Sequence, residues 1–203
     1  MILYLIRHGE YRQKDDASHE EEMAVGLTPF GRAQSRAVSR FLEKREIDAV
    51  YSSSLARARE TAEIIGSPYD VSVRVDERLN EFVATLRSKD RAAIKEVKRR
   101  VKADHNFSAS DGESINHAVM RFRTALDDIA TLGQRSVAIV SHEMVMQFTI
   151  AKLFSLQEVP NLRTASIMTV GYKDGKFRLI DLNRTVWSPQ VFLGKIKRRF
   201  LGN

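Results

Sequence analysis

Short apolar runs and longer amphipathic stretches alternate along the chain. Met1–Ile6 and Val137–Val140 are uninterrupted apolar runs rich in Ile, Leu and Val. Runs of that length and composition suit strands covered on both faces of an α/β sheet. Ala49–Ser52, after Asp48, reads as a third strand of the same kind. Between the strands the apolar positions recur at three-to-four spacing. Phe30, Ala33, Ala37, Val38, Phe41 and Leu42 make one apolar face, with Thr28 as N-cap and Pro29 in the first turn. Leu55–Ile65 predicts a second helix. A third is expected to begin at Ser110-Asp111-Gly112-Glu113, where Ser and Glu three apart form a capping-box pattern. It carries Ile115, Ala118, Val119, Phe122, Leu126 and Ile129 and ends at Gly133. A fourth is expected to run from about Glu143 to Phe154.

Strand and helix thus alternate through the first 65 residues and again after residue 110, the pattern of parallel strands joined by helical crossovers. Ser166–Tyr172 and Lys176–Leu182 flank Asp174-Gly175, a hairpin turn signal, so the sheet is expected to be mixed. Thr85–Ala109 interrupts the alternation with a basic, weakly amphipathic stretch. The chain reads as one domain over residues 1–203, with 85–110 as an insertion on the substrate side and 185–203 as a basic C-terminal tail. The run Met1–Ile6 is too short for a signal peptide or a membrane span, and a soluble cytoplasmic protein is the expectation.

Composition narrows the chemistry. There is no cysteine among the 203 residues, which excludes disulfides, thiolate metal sites and cysteine nucleophiles. The net charge is +7, and it is local: residues 87–104 and 184–203 each carry +5, leaving the remainder at −3. A nucleic-acid reading therefore rests on two segments only and is disfavoured. In the first, Arg87, Lys89, Arg91 or Lys95 are placed to meet a second anionic group of a substrate, although a solvated helix face is the simpler explanation of them. The tail mixes Phe192, Leu193, Ile196, Phe200 and Leu201 with cations; docking on its own core is the first expectation, and a partner or an anionic membrane surface are the other contacts open to it. The oligomeric state is left open.

Ligands of parallel α/β sheets bind at the carboxyl ends of the strands. Here the first strand ends in Arg7-His8-Gly9, the second runs into Ser52-Ser53-Ser54 with Arg57 just inside the next helix, and a third ends in Ser141-His142. If the strands are parallel, Arg7, His8, Arg57 and His142 share one sheet edge. Two imidazoles and two guanidinium forks there suit a phosphate dianion. Ser53 is near enough to donate a hydrogen bond, but a turn role is the simpler reading.

These segments carry a resemblance. Leu5-Ile6-Arg7-His8-Gly9-Glu10 resembles the signature of the histidine phosphatase superfamily, the phosphoglycerate mutase-like proteins. Leu27–Gln34 is similar to the helix start that follows it in the family, and Val50–Ala62 to the second motif, with Ser54 where proline is usual. Leu79-Asn80-Glu81 resembles the segment bearing the family's acid, Gly112-Glu113-Ser114 its next helix start, and Val140-Ser141-His142 its second histidine. The matches follow the family's order over residues 1–145.

The resemblance implies a three-layer α/β sandwich, with a mixed, mostly parallel central sheet, helices on both faces and a small helical insertion. It also implies phosphoryl transfer through a phosphohistidine, with no metal and no other cofactor. His8 would be the nucleophile, Arg7, Arg57 and a protonated His142 would bind the phosphoryl oxygens, and Glu81 would be the proton donor. The expected substrate is a small anionic phosphorylated molecule or a phosphopeptide. Departures matter too. Tyr11 and Lys14 stand where many members carry Thr or Ser and Asn, and Glu143 replaces a frequent glycine, leaving open whether it points away from His142 or perturbs it. Phe82-Val83-Ala84-Thr85 lacks the mutases' pattern after the acid, and the longer lid elements of cofactor-dependent mutases have no equivalent. A phosphatase is therefore expected; a phosphoglycerate-type mutase and an inactive phosphate-recognising protein are the alternatives.

Overall fold

The first strand, β1 (Ile2–Arg7), lies near the middle of a six-stranded sheet and organises everything around it. The computed structural model describes residues 1–12, 19–82, 96–97, 99–101, 103–109, 112–186 and 191. The other strands are β2 (Ala49–Ser52), β3 (Val73–Val75), β4 (Ser136–Ser141), β5 (Ser166–Lys173) and β6 (Lys176–Thr185), in the spatial order β3-β2-β4-β1-β5-β6. The pairs β3·β2, β2·β4 and β4·β1 are parallel, and β5 and β6 add antiparallel neighbours on one side. The expected mixed sheet is therefore present, with its hairpin at Asp174-Gly175.

Alternation along the strands feeds two cores. Leu3, Leu5, Val137 and Ile139 point to one face, where Phe122, Leu126, Met146 and Ile150 cover them. Tyr4, Ile6, Ala138 and Val140 point to the other, against Val38, Leu42, Ala58, Ala62 and Ile65. The helices that supply these side chains are α2 (Pro29–Leu42) and α3 (Ala56–Gly66) on the second face, and α4 (Ile115–Thr131) and α5 (Glu143–Leu153) on the first; a short α1 (His19–Ala24) precedes α2. Because α5 buries Val145, Met146, Phe148, Thr149, Ile150 and Ala151, it is covered around most of its circumference.

The first helix start is as expected: Thr28 Oγ1 accepts from the Gly31 N–H and Pro29 opens the helix. The third helix is corrected. It begins at Ile115 with Ser114 as N-cap, whose hydroxyl accepts from the His117 N–H, rather than at the Ser110–Glu113 pattern. Glu113 lies outside the helix, and its carboxylate pairs with Arg121. Lys14, the cations Arg87, Lys89, Arg91 and Lys95, and the tail from 187 apart from Val191 lie outside the described residues. Val191 itself is buried against Ala33 and Ala37 of α2, so at that residue the tail rests on its own fold.

One close approach fixes the edge where the strands end. A Cβ on Gly31 would lie 2.1 Å from the Glu10 carbonyl oxygen, and one on Gly9 would lie 2.6 Å from that of Gly31. The turn after β1 thus packs backbone to backbone on the first turn of α2, a contact that side chains would prevent.

Candidate active site

Adjacent parallel strands bring Arg7, Ser53 and His142 to one edge, because Arg7 pairs with Ser141 and Ser52 pairs with Val140 in register. Arg57, near the start of α3, and His142, the N-cap of α5, complete the group, so the four basic residues picked out in the sequence do converge.

His8 continues the β1·β4 ladder by donating its N–H to Ser141 O at 2.9 Å, and its peptide is pinned by the Ala165 N–H, which is shared between Arg7 O and His8 O. Its side chain is buried, and ring Nδ1 lies 2.7 Å from Gly9 O. A carbonyl can only accept, so Nδ1 carries the proton and Nε2 keeps its lone pair. Burial is the main cause that lowers the pKa of His8 to about 3; the positive charges of Arg57 and Arg7 add to it and the Gly9 bond opposes it. The imidazole is therefore neutral at physiological pH.

His142 is fully buried, its ring centroid 5.0 Å from that of His8. Its Nε2 is 2.6 Å from Ser53 Oγ, so Ser53, which also accepts weakly from the Leu55 N–H, is part of the site as well as of the turn. Burial pushes the His142 pKa well below the usual value, with His8, Arg57, Arg7 and Arg121 adding to the effect. Arg7 donates from Nη1 to Leu162 O at 2.5 Å and from Nη2 to Glu143 at 2.8 Å. Glu143 therefore turns towards Arg7, which decides between the two orientations left open by the sequence. Arg57 donates from Nη1 to Glu22 O at 3.0 Å and lies 4.3 Å over the ring of Tyr11, which in turn meets His8 edge-on at 5.2 Å. Three nitrogens of this group are buried without a hydrogen-bond partner: Arg7 Nε, Arg57 Nε and His142 Nδ1. Unpaired buried polar nitrogens are costly in a finished fold, and on these three residues of one strand edge they suit a ligand with several acceptor oxygens.

Glu81 closes the site from the side of α5. Its Oε1 accepts from the Phe82 and Val145 N–H groups and its Oε2 from Met144, so the carboxylate caps a helix whose own N-cap residue, His142, contributes no side-chain bond. Loss of solvent around the carboxyl raises its pKa, and the three N–H groups only partly offset this, as does Arg57. The loop before it is tied down by Ser141 Oγ, which donates to Leu79 O, and by Ser54, whose N–H and hydroxyl both donate to Asn80 Oδ1.

The sequence model of the histidine phosphatase superfamily, branch 1, matches residues 3–185. The chain belongs to that superfamily. Its relatives include a protein of Erwinia tasmaniensis named as a probable phosphoglycerate mutase, GpmB, 31% identical over 84% of this chain and 85% of its own. A protein of Hydrogenobacter thermophilus, named provisionally as phosphoserine phosphatase 2, is 26% identical over 93% and 98%. Among solved structures, a mycobacterial glucosyl-3-phosphoglycerate phosphatase superposes with a TM-score of 0.76 at 23% identity, covering 91% of this chain and 99% of that one. The superfamily thus includes phosphatases and mutases, and the sandwich expected from the sequence is the shared fold. Among the described residues no helix is long and apolar enough to cross a membrane.

The sequence left a hydrogen bond from Ser53 as the less simple of its two roles, and it gave no sign of the stacking of Tyr11 on Arg57 or of the bonds of Arg121 to the loop of Glu81. The first had a signal, since Ser53 follows a strand adjacent to the one that ends at His142. The other two depend on side-chain directions set by distant segments.

Proposed function

We propose that the protein is a metal-independent phosphomonoesterase that works through a phosphohistidine on His8. The observation that carries this reading is the tautomer of His8: Nδ1 is tied to Gly9 O at 2.7 Å and burial keeps the ring neutral, so Nε2 is a nucleophile ready at neutral pH. In the first step Nε2 bonds to phosphorus as the ester oxygen leaves with the bonding pair. The leaving oxygen takes the proton of Glu81, whose raised pKa favours holding one. Arg7, Arg57 and His142 stabilise the equatorial oxygens, where the transition-state charge is spread. In the second step water loses a proton to Glu81 and attacks phosphorus, the P–Nε2 bond breaks, and inorganic phosphate leaves. A small phosphorylated molecule or a phosphopeptide is the substrate class. The name of the 31% identical relative favours one second reading, transfer of the phosphoryl group to another hydroxyl as in a mutase.

The test uses a ³²P-labelled phosphomonoester and rapid quenching. The expected result is an acid-labile, base-stable label on the wild type, absent from His8→Ala, and release of the label as free phosphate. Label appearing on a second organic acceptor selects the mutase. Equal turnover by wild type and His8→Ala overturns the mechanism.

A further inference from the structure

Arg121 lies on α4, and the steps proposed above give it no part. Its side chain is only 18% exposed, and all five of its N–H donors are engaged. Nη1 donates to Arg78 O and Asn80 O, both at 2.8 Å, and Nη2 to Glu81 O at 3.1 Å. The remaining edge of the fork, Nε and the second Nη2 hydrogen, is held by the two carboxylate oxygens of Glu113, with Nε at 2.9 Å from Oε2. Three carbonyls within four residues of chain are thus gathered by one side chain, and the last belongs to Glu81. The carboxylate of Glu81 in turn receives the first N–H groups of α5, the helix capped by His142.

We propose that Arg121, oriented by Glu113, is a positioning residue that fixes the backbone of the acid loop and so aims Glu81 at the leaving oxygen. The inference rests on the reading of Glu81 as the proton donor. The loop is anchored at its flanks in the core by Leu79 and Phe82, and its main chain between them is held by Arg121. Its regular structure ends with the short helical turn Glu77–Leu79, and Asn80 and Glu81 belong to no strand or helix. Ser54 holds the Asn80 side chain and Ser141 the Leu79 carbonyl, so among the described residues Arg121 is the side chain that grips the main chain of Glu81 itself. A lysine has three donors that radiate from one atom and cannot span this set, whereas the planar fork can. Positioning of this kind acts on the chemical step, because small displacements of a reacting group cost rate steeply.

Dependence on the leaving group separates this role from a merely structural one. Loss of a general acid affects an alkyl phosphate, whose leaving oxygen must be protonated, far more than p-nitrophenyl phosphate, whose phenolate departs unaided. The experiment compares kcat/KM for β-glycerophosphate and p-nitrophenyl phosphate in wild type, Arg121→Gln, Arg121→Lys, Glu81→Gln and the Arg121→Gln/Glu81→Gln double variant, with thermal melts alongside. Glu81→Gln is expected to lose on the order of 10²-fold or more on the alkyl ester and little on the aryl ester. Both Arg121 variants are expected to lose roughly tenfold or more on the alkyl ester and under about threefold on the aryl ester, with no added loss in the double variant. Where Arg121→Gln does not fold, Glu113→Gln, which leaves the three carbonyl bonds in place and loosens the far edge of the fork, is expected to show the same selective loss on a smaller scale. Equal losses on both esters in the Arg121 variants, beside a selective loss in Glu81→Gln, overturn the clamp and leave the acid in place. No selectivity in Glu81→Gln removes Glu81 as the acid and the clamp with it.

Discussion

Glu143 is the residue at which this site departs most visibly from the glycine frequent at its place in the family, and its charge should weaken the grip on phosphate. Its carboxylate lies 2.8 Å from Arg7 Nη2, and the two side chains are 33% and 17% exposed. An oxyanion accepting from the free Nε of Arg7 at an ordinary hydrogen-bond length, on a different edge of the guanidinium from Glu143, would lie about 6 Å from that carboxylate. At that distance two unit charges interact by about 0.7 kcal/mol in water and about 2.8 kcal/mol at an effective dielectric constant of 20. A dianion doubles the repulsion. Because a third of the Glu143 side chain is exposed, the water-like end applies, and the repulsion is about 1.4 kcal/mol, or a factor of ten. Glu143→Gln isolates the charge. The amide oxygen still accepts from Nη2, and Leu162 O still holds Nη1, so Arg7 keeps its direction. The assay is the competitive inhibition constant of inorganic phosphate at two ionic strengths. The expected outcome is roughly tenfold tighter inhibition in low salt, with the gain shrinking as salt rises. An unchanged or weaker inhibition constant would show that Glu143 serves to orient Arg7 and that its charge is not felt at the oxyanion.

Three further outcomes follow from the same geometry. The depressed pKa of His8 makes stability depend on pH: between the ordinary value of 6.5 and about 3 the unfolded chain holds a proton that the folded chain does not, so stability falls as pH falls through that window, by at most about 1.4 kcal/mol per pH unit. Glu81, raised, has the opposite sign, and its contribution is lost as pH rises through its folded pKa. Urea melts of wild type and His8→Gln at pH 7 and pH 5 check this, and parallel curves for the two proteins would count against it. His142 is held neutral by burial and by the cations around it, so a bound dianion should return its proton; calorimetry of phosphate binding in buffers of different ionisation enthalpy should show proton uptake that disappears in His142→Asn. Gly31→Ala should destabilise by about 3 kcal/mol or more, since its Cβ would lie 2.1 Å from a backbone oxygen that cannot move without displacing Gly9; a melting temperature within a few degrees of wild type would refute the close approach.

The residues that were legible in the sequence are those whose positions follow from local structure. Arg7, His8, Arg57 and His142 all lie at or within two residues of the end of a strand or helix. Once the apolar runs identify parallel strands, the topology carries their side chains to one edge without any knowledge of distant contacts. Glu81 is different. Only the resemblance pointed to it, because its place is set by Ser54, Arg121 and Ser141, which come from three separate parts of the chain. The side-chain direction of Glu143 was equally unreadable, since its partner Arg7 lies on another element 136 positions earlier. The strand β3 was missed for a physical reason as well: three residues paired on one side only, with Arg74 and Val75 exposed, leave no apolar run to detect.

The two histidines share burial and cationic neighbours, yet the proposed chemistry needs one neutral and one charged, and their hydrogen-bond partners supply the distinction. For His8 the Gly9 carbonyl can only accept, which fixes the proton on Nδ1 and leaves Nε2 as a lone pair. For His142 the partner at Nε2 is the hydroxyl of Ser53, which serves either as donor or as acceptor and so stabilises both protonation states. Its Nδ1 has no protein acceptor, so a second proton there gains a partner only when an anion arrives. A dianion therefore favours the charged form of His142, whereas the nucleophilic nitrogen of His8 must lose its lone pair to become charged. The division into acceptor and stabiliser is built into a backbone carbonyl and a serine hydroxyl, and exchanging Ser53 for alanine should blur it more on the side of His142 than on that of His8.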